Sequence, residues 1–294
     1  MKNKTPFLFP LSCLLFLTSC SPSADDSLAL SPQPSALPLR LVSLAPNLTE
    51  MLCAMDARPL LVGRTDACDF PPEAAAIPST GAFGEPDLER LLALRPTHVV
   101  YADLLNKSIP GRLRRLNIDV RHIPCERLDD IAPALRALGE IARREAAAET
   151  LAARLETRLA ELRANADTLP VEQRPGVFLL MWNDPLMTVG GGSFITDLFH
   201  LAGARNLAAE TPAPYFNASP EWAVSLNPGI LVSFLDAPPG TLQKLLAQSP
   251  GWSATRAIRE NRVIEDLPLN LLLRPGPRVL DAVEAIRQAL EEHR

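Results

Sequence analysis

The sequence predicts an α/β protein of two Rossmann-like lobes with mostly parallel sheets, joined by a long backbone helix. Short apolar runs alternate with helical patterns along most of the chain, which is typical of parallel sheets. One pattern occurs once in each half: a Glu, then Leu five residues later, Pro seven residues later and an apolar run. Glu89 begins the first copy and Glu221 the second. A long segment of strong helix formers separates the two copies.

A second pair of matching segments precedes the first pair in the same order. A Thr followed by an acid at 49–50, with Asp-Ala at 56–57, matches Thr-Asp at 196–197 with Gly-Ala at 203–204. Two matches in the same order favour two related lobes with a cleft between them, and ligands bind in clefts. The alternative is that short helix-to-strand patterns recur by chance.

The N-terminal lobe is assigned to residues 40–140. Glu50 falls in the first turn of its first predicted helix, where the helix dipole favours an acid. Residues 65–84 are rich in Pro and Gly and are predicted to be irregular. Strands are predicted at 40–44, 60–63, 98–101 and 119–123, and helices at 48–56, 87–94, 108–116 and from 129 onward.

Residues 141–174 are assigned to the linking helix. Four leucines between 151 and 162 recur at helical spacing among Ala, Glu and Arg. A helix over 145–167 would span about 35 Å and could act as a rigid strut. The C-terminal lobe is assigned to residues 175–294. Its strands are predicted at 177–181, 230–234 and 262–265, and its helices at 193–202, 219–226, 240–247 and 277–292.

The first 39 residues are predicted to direct and anchor the protein. Residues 1–19 have the charged start and apolar run of a signal peptide, and the end of that run at Cys20 looks like a bacterial lipobox. Cys20 would carry the lipid, and residues 20–39, rich in Ser, Pro and Ala, would form a disordered tether. We therefore expect a periplasmic lipoprotein of the cell envelope, attached to a membrane by its anchor.

Charge and cysteine usage exclude several classes. A net charge of −5 without a basic cluster argues against nucleic acid as a partner. Cys53 lies on an apolar helix face and is predicted to be a buried free thiol. Cys68 and Cys125 follow predicted strands and are disulfide candidates in an oxidising compartment. A Cys metal site is disfavoured by the spacings and by the scarcity of His, so no metal ligand is assigned.

No nucleophile–base pair is recognisable, so no enzymatic activity is expected. The glycine run at 190–192, followed by Ser193, does not match the Gly-x-Ser-x-Gly elbow of hydrolases. A helix that begins after glycines can also hold an anion, but no lysine of the phosphate-binding type accompanies this run.

Five segments of the chain carry a resemblance to a known family. They are RLVSLAPNLTE at 40–50, TDACDFPP at 65–72, DLERLLALRP at 87–96, WNDPLMTVGG at 182–191 and RPGPR at 274–278. The chain resembles class III solute-binding proteins, which have a helical backbone between lobes, and within them the cobalamin-binding group. The resemblance implies a monomer without a cofactor of its own. It would capture cobalamin or a related corrinoid and deliver it to the permease and ATPase complex of an ABC importer.

The resemblance also gives the two repeated glutamates a role. In this family one Glu on each lobe docks onto Arg residues of a two-fold symmetric permease, and Glu89 and Glu221 occupy those positions. Rim charges of this kind steer docking. The alternative is that an acid in the first turn of a helix is favoured by the dipole alone.

Candidate ligand contacts follow from the resemblance and from the chemistry of a corrin, which needs an apolar platform rimmed by amide and hydroxyl groups. Ala67 and Asn270 depart from the cobalamin-binding group, which commonly has a Tyr and a carboxylate there. Core positions are the alternative for Trp182 and Phe216. Haem, with Tyr101 or Tyr215 as an axial ligand, and a ferric siderophore, with Arg274 in the cleft, are the alternative ligands. The candidate contacts, all in predicted loops, are Phe83, Trp182, Tyr215, Phe216, Asn217 and Asn270.

Overall fold

The computed structural model describes residues 38–104 and 106–293. Residues 38–294 form one compact unit. The predicted signal peptide, the lipidation site Cys20 and the tether up to residue 37 lie outside the described residues. Among the helices of the described part, none is long and apolar enough to cross a membrane.

The N-terminal lobe contains a four-stranded sheet in which every pairing is parallel. Its elements are β1 (Leu41–Ser43), α1 (Pro46–Ala54), β2 (Leu61–Arg64), β3 (Gly81–Ala82), β4 (Glu85–Pro86), α2 (Leu88–Ala93), β5 (His98–Tyr101), α3 (Ile109–Arg115), β6 (Asp119–His122) and α4 (Ile131–Ala142). The strand order is β2-β1-β5-β6. The central strand β1 is fully buried, as expected for a parallel sheet covered on both faces. The strands β3 and β4 form a separate antiparallel hairpin.

The helix predicted to run on from residue 129 is two helices rather than one. The predicted continuous helix is broken at Arg143, whose φ of 55° is left-handed and ends α4. The next helix, α5 (Glu145–Asp167), contains all four leucines and covers most of the linking helix predicted at 141–174. The two helices approach closely, since a Cβ added at Gly139 would lie 2.4 Å from the Cβ of Ala148. The glycine therefore permits this contact.

The C-terminal lobe contains a six-stranded mixed sheet. Its elements are β7 (Gly176–Asn183), β8 (Leu186–Val189), α6 (Phe194–Leu201), β9 (Arg205–Asn206), β10 (Tyr215–Asn217), α7 (Pro220–Ser225), β11 (Ile230–Ser233), α8 (Thr241–Ala247), α9 (Arg256–Arg259), β12 (Val263–Ile264), α10 (Leu269–Leu272) and α11 (Val279–Glu292). The strand order is β10-β8-β7-β11-β12, and β9 also pairs with β7. The strand β8 runs antiparallel to both of its neighbours, whereas the other pairings are parallel.

The antiparallel part of this sheet is absent from the sequence prediction. The strand β8 returns from β7 through a turn at Asp184 and Pro185, and β10 has only three residues. Strands this short carry no periodicity of their own, because pairing with neighbours rather than local pattern defines them. The helices flank the sheets, and one hydrophobic cluster runs from α1 through α4 and α5 to α6 and α11. The two lobes therefore share a core along the linking helix.

The structure confirms the first sequence repeat. The helices α2 and α7 have six residues each, and the repeated Glu is the second residue of both. Six residues after each Glu the chain turns through a left-handed residue, Arg95 with φ of 47° and Asn227 with φ of 42°. A Pro follows, and then β5 in one lobe and β11 in the other. The match extends to backbone conformation.

The second repeat is also structural. Thr49 of α1 donates to the carbonyl of Ala45, and Thr196 of α6 donates to the carbonyl of Gly190. Both helices end before a left-handed residue, at Asp56 with φ of 56° and at Gly203 with φ of 90°. The helices α1 and α6 are therefore the equivalent first helices of the two lobes.

Candidate functional site

One face of the C-terminal sheet presents a row of exposed and half-buried side chains across three strands. Met187 of β8 pairs with Trp182 of β7 on one side and with Asn217 of β10 on the other. Directly paired residues in neighbouring strands point to the same face of a sheet. A bulge between Leu180 and Trp182 turns the tryptophan away from the side on which Leu180 is buried. Trp182 is 57% exposed as a result.

Tyr215 extends this row. It lies two residues before Asn217 on β10, so both side chains point to the same face. Tyr215 is 40% exposed, and its hydroxyl accepts a hydrogen bond of 3.4 Å from Ser193 Oγ. Trp182, Met187, Asn217 and Tyr215, called the lip row below, therefore form an apolar strip with amide and hydroxyl groups along its edge.

Phe216 lies on the opposite face from the lip row. It pairs with the buried Thr188, and its ring packs edge to face against Trp222 with the centroids 5.7 Å apart. This placement corrects the assignment of Phe216 to the ligand site, because alternation along β10 sends adjacent side chains to opposite faces. The predicted loop positions of the other candidates except Phe83 are also wrong, since Trp182 belongs to β7, Tyr215 and Asn217 to β10, and Asn270 to α10.

Phe83 is an exposed aromatic residue of the N-terminal lobe. It lies between β3 and β4 at the tip of the hairpin, where Gly84 has a positive φ of 84°. Its side chain is 48% exposed. An apolar ring at a hairpin tip contributes nothing to the core, so it is available for a ligand or a partner.

Asn270 lies at a contact between the lobes. Its amide Nδ2 donates to Asp69 Oδ2 at 3.0 Å, and the other carboxylate oxygen of Asp69 lies 2.5 Å from Arg274 Nη1. The hydrogen bond from Arg274 is the main reason that the pKa of Asp69 is lowered below its usual range. Asp69 was not singled out from the sequence, although it lies inside the matching segment 65–72. Its place among turn residues gave no indication of a partner 205 residues away.

Glu50 is a buried carboxylate that two arginines bind. Arg278 Nε donates to Glu50 Oε2 at 2.8 Å, and Arg278 Nη2 and Arg274 Nη1 donate to Oε1 at 2.7 and 3.1 Å. Arg278 also covers the ring of Phe70, with its guanidinium carbon 3.7 Å from the centroid. The first-turn placement of Glu50 is wrong, because α1 begins at Pro46 and the side chain points inward.

The two repeated glutamates are exposed at equivalent places. Glu89 follows the N-cap Asp87, whose carboxylate accepts from the amides of Glu89 and Arg90. Glu221 follows the N-cap Ser219, whose hydroxyl accepts from the amide of Trp222. Among the described residues neither Glu has an ion-pair partner. Both carboxylates are therefore free to meet a positively charged partner.

The predicted disulfide between Cys68 and Cys125 is wrong, because the structure holds both as buried free thiols. Cys68 Sγ lies 3.1 Å from Thr49 Oγ1, whereas Cys125 Sγ donates to the carbonyl of Pro275 at 3.3 Å. Cys53 is also a free thiol, as predicted, but it is half-buried rather than buried. Burial raises the pKa of Cys53 to about 11 and that of Cys125 to about 12, so these thiols remain protonated near neutral pH.

Backbone carbonyls occupy two amides of the glycine run before α6, which are therefore not available to an anion. The amides of Gly190 and Gly191 donate to the carbonyls of Pro214 and Thr211 at 3.0 and 2.7 Å. A Cβ added at Gly190 would lie 2.1 Å from the carbonyl oxygen of Ala213. The glycines are required because another stretch of backbone packs directly against them.

Two further features lie apart from the lip row. The described residues hold no group of three His, Cys, Asp or Glu side chains that could bind a metal ion. A cavity of about 320 Å³ lies between the edge strand β6 and α4, lined in part by His98, Arg121 and Ile141. None of the candidate ligand contacts lines this cavity.

Comparison with known proteins identifies the family. The sequence profile of the periplasmic binding protein family matches residues 41–268. The chain is 28% identical to a vitamin B12-binding protein of Pectobacterium carotovorum over 257 residues, 85% of this chain and 88% of the relative. It is 24% identical to an uncharacterized ABC transporter substrate-binding lipoprotein of Bacillus subtilis, over 86% of this chain and 80% of the relative.

Solved structures show the same fold. The periplasmic vitamin B12 binding protein BtuF of Vibrio cholerae superposes with a TM-score of 0.71 at 24% identity, covering 86% of this chain and 97% of that one. The periplasmic heme binding protein HutB of the same organism superposes with a TM-score of 0.73 at 22% identity, covering 86% and 98%. With the matched profile, the two-lobed architecture and the linking helix α5 in agreement, the chain belongs to the periplasmic binding protein family.

Proposed function

We propose that this protein captures cobalamin or a related corrinoid between its lobes and delivers it to the permease and ATPase complex of an ABC importer. The lip row is the observation that supports a corrinoid as the ligand. It spans three strands, about 10 Å at the usual strand spacing, and presents an indole, a thioether, an amide and a phenol on one face. A corrin has a flat apolar ring with amide side chains around it, which this combination can contact and hydrogen-bond. The vitamin B12-binding relatives support the same ligand.

The charges at the junction of the lobes favour a neutral ligand over an anionic one. Arg274, the cleft arginine that a ferric siderophore would use, already contacts Glu50 and Asp69. An anionic siderophore would have to break both ion pairs, which costs more than binding to a free guanidinium.

Haem is the second candidate ligand because several structural neighbours bind it. Tyr101 stacks on His122 with the ring centroids 4.8 Å apart and lies in the N-terminal sheet, not on the lip row. Tyr215 is therefore the phenol best placed to become an axial ligand. Its hydroxyl contacts Ser193, which would have to release it.

Docking through Glu89 and Glu221 is the second part of the proposal. The two carboxylates are exposed, and each is the second residue of an equivalent six-residue helix. A permease with two-fold symmetry offers two equivalent sites, which suits one carboxylate on each of two similar lobes.

Membership of this family supports an envelope location for the protein. The lipid anchor on Cys20 and the monomeric state belong to the proposal. Capture and delivery require no covalent chemistry, so the proposal includes no enzymatic activity.

The ligand is tested by calorimetric titration of the purified protein with cyanocobalamin, haemin and a ferric siderophore. Binding of the corrinoid alone, weakened by Trp182→Ala and by Tyr215→Ala, is the expected result. Leu116→Ala is the matched control, because Leu116 is an exposed apolar residue beyond the end of α3 in the N-terminal lobe. Binding of haemin without corrinoid would overturn the ligand assignment.

A further inference from the structure

The equivalent first helices of the lobes each carry an acid that binds an arginine of the other lobe. In both helices the acid directly follows the repeated Thr, as Glu50 in α1 and Asp197 in α6. Glu50 of the N-terminal lobe binds Arg274 and Arg278, which lie between α10 and α11 of the C-terminal lobe. Asp197 of the C-terminal lobe binds a guanidinium that lies between β6 and α4 of the N-terminal lobe.

The first of these contacts is nearly closed to solvent. The side chain of Glu50 is 3% exposed, and three hydrogen bonds from two guanidinium groups satisfy it. The arginine segment is tied to the N-terminal lobe again at Pro275, whose carbonyl accepts from Asn47 Nδ2 at 3.2 Å. Charge-assisted bonds in such fixed geometry resist rotation of one body against the other.

The second contact, at Asp197, occupies the equivalent position in the other lobe but involves one arginine instead of two. Arg127 Nη2 lies 3.0 Å from Asp197 Oδ2, and Arg127 Nη1 donates to the carbonyl of Gly192 at 2.9 Å. The glycine run that supplies this carbonyl is itself held by close backbone packing. Arg127 therefore binds a rigid part of the C-terminal lobe. Only this one guanidinium contacts the Asp197 carboxylate, whereas two contact Glu50.

We propose that Glu50 and Asp197 are positioning residues whose two interlobe ion pairs, called the clasps below, fix the orientation of the lobes. On its own, the helix α5 would connect the lobes as a single lever, whereas ion pairs on the first helix of each lobe oppose both tilting and twisting. The clasps would thereby set the width of the cleft and the separation of Glu89 from Glu221. The consequences for ligand and permease rest on the proposed function, but the fixed orientation does not.

The test measures the distance between the lobes directly. Spin labels attached through p-acetylphenylalanine at Arg115 on α3 and Lys244 on α8 leave every cysteine unmodified, and pulsed electron spin resonance gives the distance distribution. Asp197→Asn and Glu50→Gln should each broaden the distribution, and the double variant should broaden it most. Glu149→Gln is the matched control, because it removes one carboxylate from the exposed Arg136 ion pairs between α4 and α5.

The two single variants separate positioning from general stability. Burial raises the pKa of Asp197, so an amide there should leave the melting temperature unchanged or higher while the distance distribution broadens. Glu50→Gln should lower the melting temperature, because two arginines lose their anionic partner. If the Glu50→Gln variant does not fold, Arg278→Lys takes its place. It retains the positive charge, removes the two donors that Arg278 directs at Glu50, and should still broaden the distribution.

Ligand affinity gives a second measurement. If a variant spends about one tenth of its time in the competent orientation, its dissociation constant for cyanocobalamin should rise about tenfold. An unchanged, narrow distribution in the folded Asp197→Asn and Arg278→Lys variants would overturn the inference. A protein that binds no corrinoid but shows the predicted broadening would overturn the proposed function and leave the clasps standing.

Discussion

The helices α2 and α7 occupy the same place in the two lobes and reach the same geometry with different residues. Both have six residues, carry Glu at the second position and end before a left-handed residue. Around this shared geometry the chemistry differs, because an aspartate caps one helix and a serine caps the other. The difference teaches that the placement of Glu89 and Glu221 is common to both lobes, whereas the local stabilisation is particular to each.

The largest effect is expected when the glutamate that α2 and α7 share is removed from both helices. Glu89→Ala combined with Glu221→Ala should abolish corrinoid uptake by cells that depend on this protein, because the permease would lose its contacts on both lobes. Titration with cyanocobalamin should give the same affinity as for the unchanged protein. Each single variant should retain part of the uptake.

The matched control replaces one exposed acid on each lobe elsewhere, Glu73→Ala with Glu210→Ala, and changes the net charge equally. Uptake should persist in this control. Normal uptake in the Glu89 and Glu221 double variant would refute docking through these residues.

The second largest effect is expected when the residues at the two left-handed turns, Arg95 and Asn227, are exchanged. Asn adopts positive φ more readily than Arg, and Asn227 Oδ1 also accepts from the amide of Arg256 at 3.0 Å. Asn227→Arg should therefore lower the free energy of unfolding by about 1–2 kcal/mol, from backbone strain and the lost hydrogen bond. Arg95→Asn should raise it by several tenths of a kcal/mol, about the Asn–Arg difference at such φ. Urea denaturation measures both, and equal effects of opposite sign would show that the Arg256 contact contributes nothing.

The third effect compares the two N-caps. Asp87 accepts from two amides, of Glu89 and Arg90, and Ser219 accepts from one. Alanine at either cap should cost about 1 kcal/mol of unfolding free energy, with the larger loss for Asp87→Ala. Thermal melting of the two variants in parallel measures this order. A larger loss for Ser219→Ala would mean that packing around α7, rather than capping, controls its stability.

The sequence carries enough information for the repeats and for the linking helix, because both arise from local patterns. The spacing from Glu to Leu to Pro places α2 and α7, and the leucine spacing places the middle of α5. The face on which Trp182 and Phe216 lie depends instead on a bulge and on pairing with β8. Tertiary contacts decide this register. The sequence alone therefore could not tell which of the two residues faces the ligand and which faces the core.

The same distinction applies to the junction between the lobes. Glu50 and Arg274 are separated by 224 residues, and each has an ordinary local role available to it. Helix dipole and loop charge explain each residue alone, so nothing local indicates that they form a pair. Both residues lie in segments that carry the family resemblance, but those segments do not indicate that the two side chains form a pair.

The smallest effect compares two acids at the lobe junction whose pKa values shift in opposite directions. The hydrogen bond from Arg274 lowers the pKa of Asp69. Its stabilising contribution is therefore present above the unfolded value of about 3.9 and lost as the pH falls through the folded pKa. Burial raises the pKa of Asp197, with Arg127 opposing the shift. Its charged form therefore costs stability at neutral pH, and that cost disappears as acid protonates the carboxyl.

Melting temperatures across the acid range should separate the two residues. Asp69→Asn should melt below the unchanged protein at pH 7, and the gap should close as the pH falls below about 4, where the unfolded carboxyl is protonated. Asp197→Asn should melt at or above the unchanged protein at pH 7, and this difference should also vanish in acid. A lower melting temperature for Asp197→Asn at pH 7 would mean that the ion pair with Arg127 outweighs the burial of its charge. The Asp197 clasp would then stabilise the fold as the Glu50 clasp does.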